Sequence, residues 1–200
     1  MNAKWITPAV TAMDERGHIN MEANGRIYDY LIENGMDGIL LLGSIGEFFA
    51  IPTEEKRKLL RDAIRRIDHR VTVYAGTNEM NLESCVALSN DAIDAGADAA
   101  MVISPYYFNL PESAILNFYD TLAERVHGPV MLYNFPARTG YSLSPSLVRE
   151  LALRHGNITG IKDTVGDMAH TRALIQAVKP VRPDFLIYSG FDEFFGHNVL

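Results

Sequence analysis

The sequence is poor in cysteine and tryptophan, with one of each, and has no apolar run near the ~20 residues that a membrane-spanning helix needs. The lone Cys85 has no partner for an intramolecular disulfide. Because it shares a helical face with Leu88 and Ala92, we interpret it as part of the core. The N-terminus MNAKWITPAV has no long apolar stretch behind its lysine. A signal peptide is not indicated, and a cytoplasmic location without membrane association is predicted.

An excess of basic charge is also missing. The 200 residues contain 18 Lys and Arg against 25 Asp and Glu, which gives a formal net charge of -7. Without a local basic patch, nucleic acid is not expected as a partner. The six histidines form no H-x-H or H-E-x-x-H pair. The sequence therefore predicts no metal site.

The chain does contain a repeat of short β-rich runs at near-constant spacing. The runs begin near Ile6, Gly38, Val71, Ala99, Val130, Ile158 and Phe185. Each gap holds one helical pattern, most clearly at residues 53–67, where apolar side chains form one stripe and charges form the opposite face. The stripe consists of Leu59, Leu60, Ala63, Ile64 and Ile67.

Alternating strands and helices, with strands that are apolar on both faces, predict a parallel sheet covered by helices. An open doubly wound sheet and a closed barrel both satisfy that pattern. The near-constant period, and the lack of a G-x-G-x-x-G turn after the first strand, favour an α/β fold of the (β/α)8 TIM-barrel type. No linker divides the chain, so residues 1–200 are expected to form a single barrel domain with about seven βα units.

Lys162 is the one lysine that falls within a predicted strand, in ITGIKDT at residues 158–164. Lys4 is near the terminus, Lys179 ends a helix, and Lys56 and Lys58 are assigned to a solvated helix face. A strand lysine either extends to solvent or to an acid, or is a buried amine whose neutral form attacks a carbonyl. Its position alone leaves both interpretations open.

Three other strand ends carry polar or small residues. In YNFPARTG, residues 133–140, Tyr133 could point its hydroxyl toward Lys162 on the next strand, and Arg138 follows on a loop. The turn GSIGEF, residues 43–48, could form a nest of backbone N–H groups for an anion. SPYYF, residues 104–108, holds Tyr106 and Tyr107. Taken singly, each feature has an ordinary explanation. Tyr133 could be a core tyrosine and Arg138 a surface charge. The glycines of residues 43–48 could form a tight turn, and Tyr106 and Tyr107 could be loop aromatics.

Together these segments resemble the dihydrodipicolinate synthase/N-acetylneuraminate lyase family of Schiff-base, pyruvate-handling (β/α)8 enzymes. The resemblance runs along the whole chain in order. It comprises G-[ST]-x-G-E at 43–47, P-Y-Y at 105–107, Y-N-x-P-x-R-T-G at 133–140, G-I-K-[DE] at 160–163, and Ser189-Gly190 at a strand end before Asp192. One such motif is weak, whereas five in register are specific.

The resemblance implies a class I lyase or aldolase in which Lys162 condenses with pyruvate or another 2-keto acid. Tyr133 would act as general acid and base, and Ser44 and Tyr107 would link its hydroxyl to solvent as a proton relay. In the family, the tyrosine at the position of Tyr107 crosses a dimer interface, so a homodimer or homotetramer is expected. Neither a metal nor an organic cofactor is implied.

The same resemblance assigns the substrate-binding residues. The carboxylate of the keto acid is expected at Ser44, Ile45 and Gly46, with Gly190 also in the pocket. Arg138 resembles the arginine with which dihydrodipicolinate synthases hold the carboxylate of aspartate semialdehyde.

The motifs support two choices of substrate. Arg138 favours the synthase, but Ile45 stands where the synthase pattern has a second threonine, and Phe48 and Phe49 stand where it has small residues. GEF, NFP and GIKDT are more like members that cleave 2-keto-3-deoxy sugar acids to pyruvate and an aldehyde. We expect that reversible cleavage, with 4-hydroxy-tetrahydrodipicolinate synthase (pyruvate plus aspartate semialdehyde) as the alternative. A non-catalytic keto-acid-binding protein is a further alternative.

The last predicted strand ends at Gly190, and residues 191–200 leave no room for an eighth strand. Family members carry that strand and a helical segment after it. Seven strands alone would leave two unpaired edges. We therefore expect the sequence to be the N-terminal part of a longer chain.

Overall fold

A computed structural model describes residues 4–196, in which strands and helices alternate as predicted. The strands are β1 (Ile6–Pro8), β2 (Gly38–Leu41), β3 (Thr72–Gly76), β4 (Ala99–Ile103), β5 (Val130–Asn134), β6 (Ile158–Asp163) and β7 (Leu186–Ser189). The helices are α1 (Met21–Glu33), α2 (Thr53–Ile67), α3 (Leu82–Asp94), α4 (Glu112–Arg125), α5 (Pro136–Thr139), α6 (Pro145–Arg154) and α7 (Met168–Val178). The strands start where predicted, except that β3 and β7 each begin one residue later.

The short helix α5 differs from the loop predicted for the segment that carries Arg138. Pro136 occupies its first turn, where the fixed φ of proline suits a helix and no partner is needed for the missing N–H. Gly140 ends it with a φ of 82°.

Within residues 4–196, every helix is too short or too polar to cross a membrane. Residues 191–200 are predicted to contain no eighth strand. Of these, residues 197–200 lie outside the described residues.

Contacts between residues divide the chain into two compact units, one ending at Met101 and the other beginning at Val102. The boundary falls within β4. A single domain over residues 1–200 stays a prediction.

In the first unit, β1 to β4 pair in parallel and in chain order. β2 is buried along its whole length, as expected for a parallel strand that is covered on both faces. The predicted apolar stripe of α2 is also buried. Cys85 in α3 is fully buried, and this burial raises the pKa of its thiol to about 12. The interpretation of Cys85 as a core residue is confirmed.

Lys56 does not lie on the solvated face of α2, so that prediction is wrong. The residue is 3% exposed. Its Nζ lies 2.7 Å from Oε1 of Glu79 and donates a hydrogen bond of 3.1 Å to the carbonyl of Asn78. The Thr53 hydroxyl donates to the same Glu79 oxygen, at 2.7 Å. Because the ammonium has both a counter-ion and a carbonyl acceptor, the cost of removing it from water is offset.

In the second unit, β5, β6 and β7 pair in parallel, again in chain order. Val130 pairs with Ile158 and Met131 with Gly160, so one residue of β6 is skipped, as in a β-bulge. Regular pairing then continues to the carboxyl ends of both strands. This register places Tyr133 of β5 beside Lys162 of β6.

Gly160 in β6 has no room for a side chain between its neighbours on β5 and β7. A Cβ atom added there would lie 2.6 Å from the carbonyl oxygen of Leu186 and 2.7 Å from Sδ of Met131. The backbone contact cannot be relieved by rotating a side chain. Gly156 is exposed, and a Cβ atom added there would meet nothing within 4 Å.

We predict that Gly160→Ala lowers the free energy of unfolding of the native protein by about 1–3 kcal/mol, because overpacking forces the strands apart. The matched control Gly156→Ala is expected to change it by less than about 0.5 kcal/mol. Urea denaturation followed by circular dichroism measures both. A Gly160→Ala variant with wild-type stability would contradict this packing.

Candidate active site

Lys162 lies near the carboxyl end of β6, between a tyrosine on each neighbouring strand. Its partners in the sheet are Tyr133 on β5 and Tyr188 on β7. The Nζ atom lies over the ring of Tyr133, 4.4 Å from the ring centroid. Tyr133 itself is buried, with 2% exposure. The predicted proximity of Lys162 and Tyr133 is therefore present in the second unit.

Burial lowers the pKa of Lys162 from its ordinary value of 10.5 to about 8. The face of the Tyr133 ring attracts a cation, which favours the charged form. The cost of desolvating the ammonium is larger and decides the direction of the shift. With a pKa of about 8, about one amine in ten is neutral at pH 7, against about one in 3,000 for an ordinary lysine. The neutral amine, which is the form that can attack a carbonyl, is therefore more abundant at Lys162 than at an ordinary lysine.

A row of aromatic rings extends from Tyr133 at the ends of β5 and β7. The rings of Tyr133 and Phe135 stack with centroids 6.1 Å apart, and Phe191 meets Phe135 edge-on at 6.3 Å. The guanidinium of Arg138, an exposed residue, lies 5.5 Å from the centroid of the Phe135 ring. These contacts connect Arg138 to Tyr133 through one intervening ring.

A cavity of about 590 Å³ opens beside this row, within the second unit. It is lined by Phe135, Pro136, Ala137, Thr164, Val165, Gly166, Asp167, His170 and Phe191. The hydroxyl of Thr164 is buried without a hydrogen-bond partner. The cavity wall is mostly apolar around Phe135 and Phe191, and the side chains of Asp167 and His170 add polar groups to it.

Gly190 follows β7, next to this cavity wall. Its N–H donates a hydrogen bond of 2.9 Å to the carbonyl of Asp163. A Cβ atom at this position would lie 2.0 Å from the Thr164 hydroxyl oxygen and 2.9 Å from the Thr164 Cα. Glycine is required here because a side chain would displace Thr164.

A buried polar cluster lies behind Lys162, and the sequence analysis assigned no role to it. The Asp163 carboxylate accepts hydrogen bonds from the Asn134 amide at 2.8 Å and the Thr171 hydroxyl at 2.7 Å. Nδ1 of His170 lies 3.1 Å from the same carboxylate. Asn134 directly follows Tyr133 in the sequence, and Asp163 directly follows Lys162. These two polar residues are the sequence signal that could have located the cluster.

The GSIGE turn lies in the first unit, after β2. Leu42 directly precedes the turn and Glu47 is its last residue. Both have left-handed backbone conformations, with φ values of 51° and 55°. Such values reorient successive N–H groups, as in an anion-binding nest. Gly46 accepts a hydrogen bond of 2.7 Å from the Thr11 hydroxyl, and Ile45 is exposed. Ser44 is partly buried, and its predicted role and those of Ile45 and Gly46 stay predictions.

Tyr107 occupies an exposed and strained position in the second unit. It is 83% exposed and has a φ of 82°, which is unusual for a residue other than glycine. Its ring meets that of Phe108 edge-on, with centroids 4.9 Å apart.

Among residues 4–196, no group of three or more His, Cys, Asp or Glu side chains is placed to hold a metal ion.

Comparison with known proteins identifies the family. The model of the dihydrodipicolinate synthetase family matches residues 1–200. The chain belongs to this family. Within it, the chain is 40% identical over 195 residues to YagE of Escherichia coli (strain K12), which carries a provisional assignment as a 2-dehydro-3-deoxy-D-gluconate aldolase. The alignment covers 98% of this chain and 65% of YagE.

Other family members are similar over the same range. The chain is 36% identical over 195 residues to the probable 2-dehydro-3-deoxy-D-pentonate aldolase YjhH of Escherichia coli (strain K12), covering 98% of this chain and 65% of YjhH. It is 34% identical over 192 residues to the 4-hydroxy-tetrahydrodipicolinate synthase of Ligilactobacillus salivarius (strain UCC118), covering 96% and 64%. The chain thus spans about 65% of the length of these relatives.

The crystal structure of YagE from Escherichia coli K12 in complex with pyruvate matches the fold with a TM-score of 0.94 at 40% identity. The match covers 97% of this chain and 65% of that of YagE. The predicted family and the predicted (β/α)-barrel fold class are therefore confirmed.

We predict that competitive acetylation of the native protein with acetic anhydride, followed by mass spectrometry, gives a titration midpoint of about 8 for Lys162. Desolvation favours the neutral amine, so Lys162 reacts at a lower pH than Lys58. Lys58 is the control within the chain, because its hydrogen bond to Glu55 raises its pKa above 10.5. A midpoint for Lys162 at or above that of Lys58 would contradict the desolvated amine.

Proposed function

We propose that the protein is a class I lyase that forms a Schiff base between Lys162 and pyruvate or another 2-keto acid, and that makes or breaks a C–C bond. The observation that carries this proposal is the desolvated Lys162 amine, 4.4 Å from the centre of the Tyr133 ring at adjoining strand ends. Membership in the family supports it. No cofactor is needed for this chemistry, because the protonated imine accepts the electron pair of the C–C bond that is broken.

The reaction begins with the neutral amine of Lys162. Its lone pair attacks the C2 carbonyl of the keto acid and forms a carbinolamine. Loss of the C2 hydroxyl as water gives a protonated imine. The departing oxygen takes one of its two protons from the attacking nitrogen and the other from the Tyr133 hydroxyl, so Tyr133 is left as a phenolate beside the protonated imine.

In the cleavage direction, Tyr133 takes the proton from the C4 hydroxyl of a 2-keto-3-deoxy sugar acid. The C4 oxygen becomes an aldehyde carbonyl while the C3–C4 electron pair moves into the C2–C3 bond and neutralises the imine nitrogen. Protonation of the enamine at C3 by Tyr133 regenerates the imine of pyruvate. Water then adds at C2, which releases pyruvate and the Lys162 amine and replaces the water lost earlier.

The family resemblance supports further residue roles in this proposal. Ser44, Ile45 and Gly46 bind the carboxylate of the keto acid, and the left-handed residues around the turn suit a nest for an anion. Ser44 and Tyr107 act as the proton relay of Tyr133. The high exposure of Tyr107 is consistent with its contacting a second copy of the chain in a homodimer or tetramer. A cytoplasmic location stays a prediction.

For the substrate, we propose a 2-keto-3-deoxy sugar acid that is cleaved reversibly to pyruvate and an aldehyde. The assignments of YagE and YjhH support this choice. The cavity is lined by Phe135, whose ring stacks on that of Tyr133, and is large enough for a sugar-acid chain.

A specific observation keeps the synthase as a second candidate. The Arg138 guanidinium is exposed beside the ring row that leads to Tyr133, where it can bind the carboxylate of aspartate semialdehyde. The non-catalytic keto-acid-binding protein is disfavoured. Such a protein would need neither a buried amine like that of Lys162 nor the phenol of Tyr133 next to it.

We predict that borohydride reduction of the native protein in the presence of pyruvate adds one reduced pyruvyl group, located on Lys162 by peptide mass spectrometry. Lys162→Arg is expected to abolish labelling, because its guanidinium remains charged and is not a nucleophile. Lys58→Arg, which alters an exposed lysine, is expected to label like the wild type. An unmodified wild-type protein would overturn the Schiff-base mechanism.

We predict a higher kcat/KM for cleavage of 2-keto-3-deoxygluconate than for condensation of pyruvate with aspartate semialdehyde. Arg138→Leu is expected to lower any semialdehyde condensation by about 10- to 100-fold, since a bidentate charged contact is lost. Steady-state assays with both substrate pairs measure this. Faster condensation than cleavage would assign the protein as the synthase instead, and unchanged condensation in Arg138→Leu would refute the role of Arg138.

A further inference from the structure

His170 on α7 contacts the buried cluster behind Lys162 through both ring nitrogens. Nδ1 lies 3.1 Å from the Asp163 carboxylate, which itself is fully buried. Nε2 lies 3.0 Å from the carbonyl of Leu143 and 3.2 Å from the hydroxyl of Ser142. The carboxylate and the carbonyl can only accept hydrogen bonds. Both contacts are satisfied together only when both ring nitrogens carry a proton, which makes the ring an imidazolium.

The partners of His170 lie directly beside the proposed catalytic pair. In the sheet, Asn134 pairs with Asp163 one position beyond the pair formed by Tyr133 and Lys162. Successive residues of a strand point to opposite faces, so Asn134 and Asp163 lie on the face opposite to the catalytic side chains. The hydrogen bond between the Asn134 amide and the Asp163 carboxylate therefore joins β5 and β6 just behind that pair.

The same cluster holds the segment that follows Arg138. The Asn134 amide oxygen accepts a hydrogen bond of 3.0 Å from the N–H of Leu143, and the Leu143 carbonyl faces His170. His170 thus joins three elements at once, namely the end of β6, the start of α7 and the segment between α5 and α6. These hydrogen bonds link His170 to the strand ends that carry Lys162 and Tyr133.

We infer that His170 is a positioning residue for the proposed reaction: its imidazolium holds Asp163 and the segment at Leu143 in place behind Lys162 and Tyr133, and its deprotonation weakens catalysis at alkaline pH. This inference rests on the proposed function of Lys162. His170 itself is not assigned a contact with the substrate.

The charges around His170 favour its protonated form. Asp163 faces it from β6, and Asp167 is the acidic residue at the start of its own helix. Asn134 from β5 is neutral, and Tyr141 in the segment before Leu143 directs its hydroxyl to the carbonyl of Pro105 instead. The hydrogen bond with Asp163 is the main cause that raises the pKa of His170, and it outweighs the opposing effect of partial burial.

The direction of the pH effect follows from this shift. A histidine whose folded-state pKa is raised contributes its full stabilisation below its ordinary pKa of about 6.5. It loses that contribution as the pH rises through the raised value. Since its side chain is 19% exposed and borders the cavity, His170 can exchange protons with solvent.

His155 provides a matched control elsewhere in the second unit. Its Nε2 lies 2.7 Å from the Asp120 carboxylate, and its side chain is 14% exposed. His155 therefore has a histidine–carboxylate contact and an exposure similar to those of His170. It precedes β6, whereas Lys162 lies toward the other end of that strand.

The test compares the wild type, His170→Gln and His155→Gln, each in the whole native protein. The rate of borohydride trapping with pyruvate is measured from pH 5 to 10, and ¹⁵N NMR follows both ring nitrogens of His170. Asp163 retains its hydrogen bonds from Asn134 and Thr171 in His170→Gln, so this variant is expected to fold.

We expect the NMR midpoint of His170 to lie above 6.5. Because deprotonation of Lys162 near pH 8 raises the trapping rate of every variant, the effect of His170 is measured as the ratio of the wild-type rate to the His170→Gln rate. This ratio should be about 10 or more at pH 7, because small misplacements of reacting groups are costly, and should decline as the pH rises through the NMR midpoint. His155→Gln should stay within about twofold of the wild type and keep its pH profile. A residue that only stabilised the fold would leave the profile unchanged.

Three results would overturn the inference. The first is a titration midpoint near 6.5 for His170. This midpoint is measured on the wild type, so it tests the inference even if His170→Gln does not fold. The second is a His170→Gln profile that equals that of the wild type. The third is an equal loss of rate in His155→Gln. A wild type that is not trapped at any pH would instead overturn the proposed function itself, and the role of His170 with it.

Discussion

The desolvation of one amine is the constraint on which the rest of the site depends. A lysine near the carboxyl end of a buried strand loses the hydration of its charged form, and this loss lowers the pKa of Lys162 to about 8. The ring of Tyr133 covers the amine without accepting its charge as a carboxylate would. By contrast, Lys56 is buried against Glu79. The two lysines differ in that Lys56 has a counter-ion. We propose that this difference separates the nucleophile Lys162 from the structural ion pair of Lys56.

The parallel pairing of β5 and β6 organises both faces of the sheet at this point. One pair of residues, Tyr133 and Lys162, carries the proposed chemistry. The next pair, Asn134 and Asp163, joins the strands on the opposite face through a buried hydrogen bond. Gly160 permits the close approach of β7 in the same region. We therefore propose that the chemistry of Lys162 depends on side chains on the opposite face of the sheet.

The sequence was sufficient to predict features that depend on local pattern. The strand starts, the buried stripe of α2, and the neighbouring positions of Tyr133 and Lys162 all follow from periodicity and from the order of strands in a βα repeat. The cluster around His170 was not predictable from periodicity, because it depends on how α7 places His170 and Thr171 relative to Asp163. The burial of Lys56 was missed for a similar reason, since Glu79 is distant in sequence. The helix of residues 136–139 was missed because four residues are too few for a periodic pattern.

The central claim is that the Lys162 amine becomes covalently bonded to a keto acid with Tyr133 beside the new bond. A crystal structure of the native protein soaked with pyruvate tests it most directly. The account predicts continuous electron density from Nζ of Lys162 to C2 of pyruvate, with the Tyr133 hydroxyl within hydrogen-bonding distance of the former carbonyl position. Pyruvate bound without a covalent link, or bound away from Lys162, would contradict the account.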